Sequence, residues 1–280
     1  MIKLFAFDLD GTVLNSRSMI DKETIDAFKK LDENGIKFVF ATGRVTTSVA
    51  YFMEKTGVDN PLVANNGAAI FLNKDTLLKE SYIDTDILKR LRDFAKTRGL
   101  YYHFYDLNTY YSEYLVNARL KHLEKEEDTG YGYQVNISIS EDPIEQLSIN
   151  NSKAFKFQIF ADEEKGFNKD DMIRELVDEF GDDLYVTSSG EYFIEIMAKN
   201  VSKWQAIMEI AKTLGIKKSE IAAIGDQDND YPMIANAGLS FAMGNAIDSI
   251  KEVADYRVSN NDDYGVVEAI EKVLELNKNV

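Results

Sequence analysis

The chain opens with a run, Ile2 to Leu9, that is almost wholly apolar and ends among acidic residues and a glycine, Asp8, Asp10 and Gly11. A short apolar run of this kind fits a strand covered on both faces, as in a parallel sheet flanked by helices. Lys22 to Asn34 follows, with Ile25, Phe28 and Leu31 at helical spacing and Gly35 where a helix would be capped. Ile36 to Ala41 reads as a second strand, Thr46 to Thr56 as a helix, and Leu62 to Ala64 as a third short strand before Asn65-Asn66-Gly67. Strands alternating with helices predict a doubly wound, Rossmann-like α/β sheet, because parallel neighbours must be joined by a crossover.

Beyond about residue 82 the pattern changes. Asp86 to Arg98 carries Ile87, Leu88, Leu91, Phe94 and Ala95 on one helical face. Tyr101 to Tyr105, Val135 to Ile139 and Phe155 to Phe160 then alternate with period two, which predicts strands with one face in water. Another helix is expected from Asn168, a good N-cap, to Gly181. The α/β pattern returns with Tyr192 to Met197 as a strand, Ser202 to Leu214 as a helix, Ile221 to Ile224 as a strand, Tyr231 to Ala237 as a short helix, and a last helix from Tyr264 to Leu276. The expected organisation is an α/β domain of residues 1–82 and 191–280, with residues 83–190 inserted as a smaller α+β module.

Composition narrows the chemistry. With 280 residues there is room for two such units. Cysteine is absent, which removes disulfides, thiolate catalysis and cysteine-ligated metal centres, and only His103 and His122 are available as imidazole ligands. A formal charge of −16 makes nucleic acid an unfavourable partner and suits a hard cation held by carboxylates. No apolar run approaches the roughly 20 residues that span a bilayer, so no membrane partner is expected. The acidic residues at positions 8 and 10 interrupt what a secretory leader would keep apolar, and the expected location is cytoplasmic.

In doubly wound sheets, ligands bind beyond the carboxyl ends of the strands. Four polar segments fall there or at the head of the helix that follows: Asp8-Leu9-Asp10-Gly11-Thr12, Thr42-Gly43-Arg44, Ser202-Lys203, and Gly225-Asp226-Gln227-Asp228-Asn229-Asp230. Converging, Asp8, Asp10 and Asp226 supply hard oxygen ligands suited to Mg²⁺. Thr42, the Gly43 amide, Lys203 and Asn229 supply donors matched to phosphoryl oxygens. Of two carboxylates two residues apart, one is placed to attack phosphorus and the other to move a proton.

Taken in order, DLDGT, TGR, SK and GDQDND match the motifs of the haloacid dehalogenase superfamily, and the resemblance covers essentially the whole chain. The long insertion, with Asn65-Asn66-Gly67-Ala68 and Met243-Gly244-Asn245-Ala246, resembles the Cof-type phosphatases with a type IIB cap. This resemblance implies that Asp8 is the nucleophile and that Asp10 is the acid/base, also lending its backbone carbonyl to Mg²⁺. It makes Asp226 the third metal ligand and Thr42, Gly43, Lys203 and Asn229 the phosphate-binding set. Asp230 would orient Lys203 or a metal-bound water, with Thr12 and Arg44 as further support, and Asn65, Asn66 and Gly67 would lie near the leaving group. The implied substrates are small phosphorylated metabolites, sugar phosphates above all.

Trp204 stands where the family often has a small residue, and Asp228 where glutamate is common; Trp204 either crowds the cleft or packs the helix. Tyr101, Tyr102, His103, Phe104 and Tyr105, with Tyr110 and Tyr111, read as strand packing rather than a ring-binding face. His122 and the acidic stretch Glu124 to Asp128 read as a solvated helix end or loop. Two other activities share the motifs: a phosphomutase returning the phosphoryl group to a sugar, and a regulator that binds metabolites without turnover.

Overall fold

The computed structural model describes residues 1–116, 135–161, 166–189 and 192–279; the expectations for His122 and for Glu124 to Asp128 lie outside these residues. The chain starts a sheet with β1 (Leu4–Phe7), β2 (Lys37–Ala41), β3 (Leu62–Ala64), β4 (Ala69–Asn73) and β5 (Thr76–Glu80). It then builds a second sheet from β6 (Tyr101–Tyr105), β7 (Thr109–Ser112), β8 (Asn136–Ile139), β9 (Lys156–Phe160), β10 (Leu184–Ser189) and β11 (Phe193–Ala198). It returns to the first with β12 (Ile221–Gly225), β13 (Leu239–Ala242) and β14 (Tyr256–Arg257). The orders are β14-β13-β12-β1-β2-β3-β4-β5 and β10-β11-β9-β6-β7-β8.

From β14 to β3 the first sheet is parallel, as the apolar runs require. All four residues of β1 are buried, and Phe7 meets Phe28 edge-on at 5.0 Å while Phe28 stacks on Phe38 at 4.7 Å. Burying each such ring contributes on the order of 2 kcal/mol. The chain moves outward from β1 through β2 and β3, then resumes on the other side of β1 with β12. That reversal makes β1 and β12 the topological switch point, where ligands of open α/β sheets bind. Phe7 lies opposite Ile224, so the residues just beyond these strands, Asp8 and Asp226, emerge side by side.

The second sheet corrects two expectations. Strand β11 was expected to reopen the core as Tyr192 to Met197; it pairs instead with β9 and β10, so the boundary drawn after residue 190 falls inside the second sheet. Its alternation of Ile194 and Ile196 with Glu195 is the pattern of its neighbours in that sheet, and the return to the first sheet comes with the helix Lys203–Leu214. Of the strands expected to face water on one side, β8 is largely exposed, yet every residue of β6 is buried, as are the first four of β9. One face packs Tyr102, Phe104, Phe157, Ile159, Ile194 and Ile196 against the helices Thr85–Thr97, Pro143–Ile149 and Lys169–Phe180. The other face, bearing His103, Lys156, Gln158 and Glu195, is buried as well, and Lys156 and Glu195 bond the loops of the first sheet.

Local signals explain the remaining elements. The Asn168 side chain accepts from the Asp171 amide and caps its helix, and Ser202 does the same for the Gln205 amide, each worth about 1 kcal/mol. Trp204 is buried in the main core with Lys218 over its ring, so it packs the helix and does not enter the cleft. Among the described residues no helix is long and apolar enough to cross a membrane.

Candidate active site

Between the two sheets lies a cavity of about 480 Å³ lined by Asp8, Asp10, Thr42, Gly43, Arg44, Asp226 and Asn229 from the first sheet's loops, and by Tyr105, Lys156, Gln158, Ser189, Phe193 and Glu195 from the second. The strand-end motifs therefore converge as the sequence implied.

Asp8 extends β1, its amide donating to the Ile224 carbonyl at 3.2 Å, and its side chain is buried. Lys203, on the first turn of its helix, places Nζ 2.5 Å from Asp8 Oδ1 and 2.6 Å from Asp230 Oδ1. The other oxygen of Asp230 accepts from the backbone amides of Asp226 and Gln227 at 2.9 and 3.1 Å. Both Asp230 oxygens are thus engaged within the protein. Gly225 makes room for this: a Cβ there would sit 2.6 Å from the Asp230 side chain. Thr12 Oγ1 donates to Asp226 Oδ1 at 2.9 Å, and Gln227 Nε2 to Oδ2 at 3.2 Å. Gly11, with φ of +76°, brings the first motif against Asp226, where a Cβ would come within 2.5 Å of Oδ2.

Charge is unbalanced here. Burial, reinforced by the nearby charge of Asp230, pushes the Asp8 carboxyl well above its usual range despite the opposing pull of Lys203. Burial and then Asp230 push Asp226 up to about 7. For Lys203, burial opposes the charge, but Asp230 and Asp8 outweigh it and hold the ammonium firmly protonated. Oxygens of Asp8, Asp226 and Asp230 all lie within 4.8 Å of one another. Three buried carboxylates against the ammonium of Lys203 are a set that a hard divalent cation would relieve, and all-oxygen donors are the ligands Mg²⁺ takes. The residues fit such an ion, and Asp8, Asp226 and Asp230 are the side chains whose oxygens lie close enough together to hold it. The Asp10 carboxylate lies elsewhere: Arg44 forks it, with Nε to Oδ2 at 2.7 Å and Nη2 to Oδ1 at 2.5 Å. Arg44 also donates to Ser48 Oγ at 3.3 Å and lies over the Phe52 ring, so it is an ion-pair partner of Asp10.

Asn229 Nδ2 donates to Asn66 Oδ1 at 3.3 Å, and Asn66 Nδ2 donates to Glu195 Oε2 at 2.7 Å. Asn65, Asn66 and Gly67, expected near the leaving group, are not among the residues lining the cavity; Asn66 lies behind it, between Asn229 and Glu195. The Asn65 amide points toward the Asp106 carbonyl at 3.5 Å, and Gly67, at φ +107°, permits close contact with Ser202, whose carbonyl would lie 2.4 Å from a Cβ. Their part is to shape the turn that carries Asn66. Asp228 accepts from Ser188 Oγ of the second sheet at 2.7 Å.

Residue-level reading missed the cavity-facing side of the second sheet. Lys156 Nζ is 3.1 Å from Glu195 Oε1, and Gln158 Nε2 is 2.8 Å from the same oxygen. Burial raises the Glu195 pKa, but Lys156, together with the bonds from Asn66 and Lys156, wins and holds it below the usual carboxylate range. His103 Nε2 meets Gln158 Oε1 at 2.8 Å, and the imidazole stacks on Tyr110. The available signal is the alternation of polar with large apolar side chains, which in β9 predicts a face in water, while β11, expected in the first sheet, carries the same alternation.

A family profile of haloacid dehalogenase-like hydrolases matches residues 5–270. A 5-amino-6-(5-phospho-D-ribitylamino)uracil phosphatase of Bacillus subtilis is 30% identical over 289 residues, covering 98% of each chain. The solved structure of a haloacid dehalogenase-like hydrolase from B. subtilis superposes with a TM-score of 0.84 at 26% identity, covering 96% of this chain and 99% of that one. A subclass IIB sugar phosphatase of the same superfamily shares the fold, with a TM-score of 0.80 at 23% identity over 97% of this chain and 98% of that one.

Proposed function

The chain belongs to the haloacid dehalogenase-like hydrolases, and from that premise we propose that it is a Mg²⁺-dependent phosphatase of small phosphorylated metabolites, acting through an aspartyl phosphate on Asp8. The observation that carries this reading is the placement of Asp8: at the switch point, at the cavity wall, one oxygen held by Lys203, with Asp226 beside it.

In the proposed first step an Asp8 carboxylate oxygen attacks phosphorus, the bond from phosphorus to the ester oxygen breaks, and that oxygen takes a proton from Asp10. In the second, Asp10 accepts a proton from water as the water oxygen attacks phosphorus. The bond to Asp8 breaks, regenerating the carboxylate and releasing phosphate. Asp10 must leave the Arg44 fork to meet the ester oxygen. Lys203 holds Asp8 in line, and Thr42, the Gly43 amide and Asn229 are the donors assigned to the phosphoryl oxygens. Mg²⁺, when bound, supplies charge that lets Asp8 and Asp226 stay ionised and draws electron density from the phosphoryl group.

The second sheet is proposed as the cap that closes over the leaving group and excludes water. The polar side chains of Gln158 and Ser189 on its cavity wall suit a hydroxyl-rich leaving group, which supports sugar and polyol phosphates as the substrate class. The test is phosphate release from a panel of sugar phosphates, nucleotides and p-nitrophenyl phosphate, with Mg²⁺ and with excess chelator. Chelator-sensitive release that disappears in Asp8→Asn is expected; release that persists in that variant would remove Asp8 from the chemistry.

A further inference from the structure

Two chains of contacts run from the second sheet into the loops that carry the phosphoryl donors. Lys156 Nζ donates to the Gly43 carbonyl at 2.5 Å and so grips the turn whose amide is assigned to phosphate. Glu195 Oε2 accepts from Asn66 Nδ2 at 2.7 Å, and Asn66 Oδ1 accepts from Asn229 Nδ2 at 3.3 Å, so a carboxylate of the second sheet fixes which way the Asn229 amide is turned. The two chains are joined, because Lys156 and Glu195 bond each other at 3.1 Å. Gln158 braces Glu195 from the neighbouring strand at 2.8 Å, directly opposite it in register. Gly43 completes the arrangement: a Cβ there would lie 3.2 Å from Asn66 Oδ1 and 3.4 Å from Glu195 Oε1, so glycine lets the second sheet approach this loop. Glu195 and Lys156 are 2% and 4% exposed, which excludes an incidental surface pair.

We propose that Lys156 and Glu195 are positioning residues that set the phosphoryl donors Gly43 and Asn229 when the second sheet lies against the first, so that closure completes the phosphate site. The inference rests on the phosphatase reading above. An Asn66 amide left without Glu195 is free to flip, and Asn229 then loses the acceptor that orients it. A turn at Gly43 left without Lys156 loses the donor to its carbonyl, and the following peptide is left leaning on Thr42, through the Arg44 amide donating to Thr42 Oγ1 at 3.2 Å. Because the effect acts on the phosphoryl group, it is indifferent to the group that leaves. A residue that merely reads the leaving group would behave otherwise.

The experiment compares wild type with Glu195→Gln, Lys156→Met and the double variant, each at a temperature where circular dichroism shows it folded. The double variant removes both buried charges together and serves if a single change prevents folding. Turnover of p-nitrophenyl phosphate and of the best sugar phosphate is measured, together with inhibition by inorganic phosphate. We expect kcat/KM to fall at least about tenfold by the same factor for both substrates, and the inhibition constant of phosphate to rise with it. Three results would overturn the proposal: unchanged turnover, a loss confined to the sugar phosphate, or a loss of kcat with the phosphate constant unmoved. Absence of turnover in wild type itself would instead count against the phosphatase reading, so the two failures are distinct.

Discussion

The Lys203 ammonium stands 2.5 Å from Asp8 Oδ1, and both side chains are withdrawn from solvent. The contact has a catalytic and a structural side, because the same Nζ also bonds Asp230. Lys203→Met would leave buried carboxylates without their ammonium. We expect a stability loss of about 3–5 kcal/mol by chemical denaturation. We also expect turnover to fall by about a hundredfold or more, as for the loss of a donor to developing charge. A variant of normal activity would take Lys203 out of the site.

Gly11 is where backbone and metal site meet. At φ +76° its missing side chain leaves room for the Asp226 carboxylate, and alanine would put Cβ 2.5 Å from Oδ2. Gly11→Ala should displace Asp226 and weaken Mg²⁺ binding by about 10- to 100-fold, read by titration calorimetry. In wild type, Mg²⁺ at about a hundred times its dissociation constant should add roughly 2.7 kcal/mol of stability that chelator removes. An unaltered melting temperature on adding Mg²⁺ would argue against the cluster as a metal site.

Glu195 gives a pH signature. Burial raises its pKa, but Lys156 and Asn66 hold it below 4.5 in the folded chain, so its contribution to stability is fully present above that value and is lost as pH falls through the depressed one. The stability gap between wild type and Glu195→Gln should therefore be widest near neutral pH and narrow progressively below about pH 4.5. Denaturant melts across pH 3 to 7 measure it; a gap that stays constant would mean that Glu195 carries no charge dependence into the fold.

The first sheet and the floor of the site were legible in the chain because their signals are local. Apolar runs ending in Asp8, Thr42 and Asp226 mark buried parallel strands and the loops beyond them, and Ser202 marks the helix that brings Lys203 to Asp8. What escaped depends on contacts distant in sequence. Lys156 and Glu195 alternate with apolar neighbours as solvent-facing residues do, and only the first sheet lying over them distinguishes cleft from water. Asn65, Asn66 and Gly67 all take positive φ in one tight turn, and which of their side chains reaches Asn229 and Glu195 depends on partners distant in sequence. The hairpin of β4 and β5 gave little signal because β5 is a largely exposed edge strand.

The central claim is a covalent phosphoryl group on Asp8, and the most direct test uses Asp10→Asn with p-nitrophenyl phosphate, whose leaving group needs no proton. If Asp8 attacks and Asp10 activates water, the variant should release one equivalent of p-nitrophenolate per enzyme in a burst and then stall. Mass spectrometry of the quenched, digested protein should find phosphate on the peptide bearing Asp8. No burst, or a burst with the phosphate on another residue, would contradict the account.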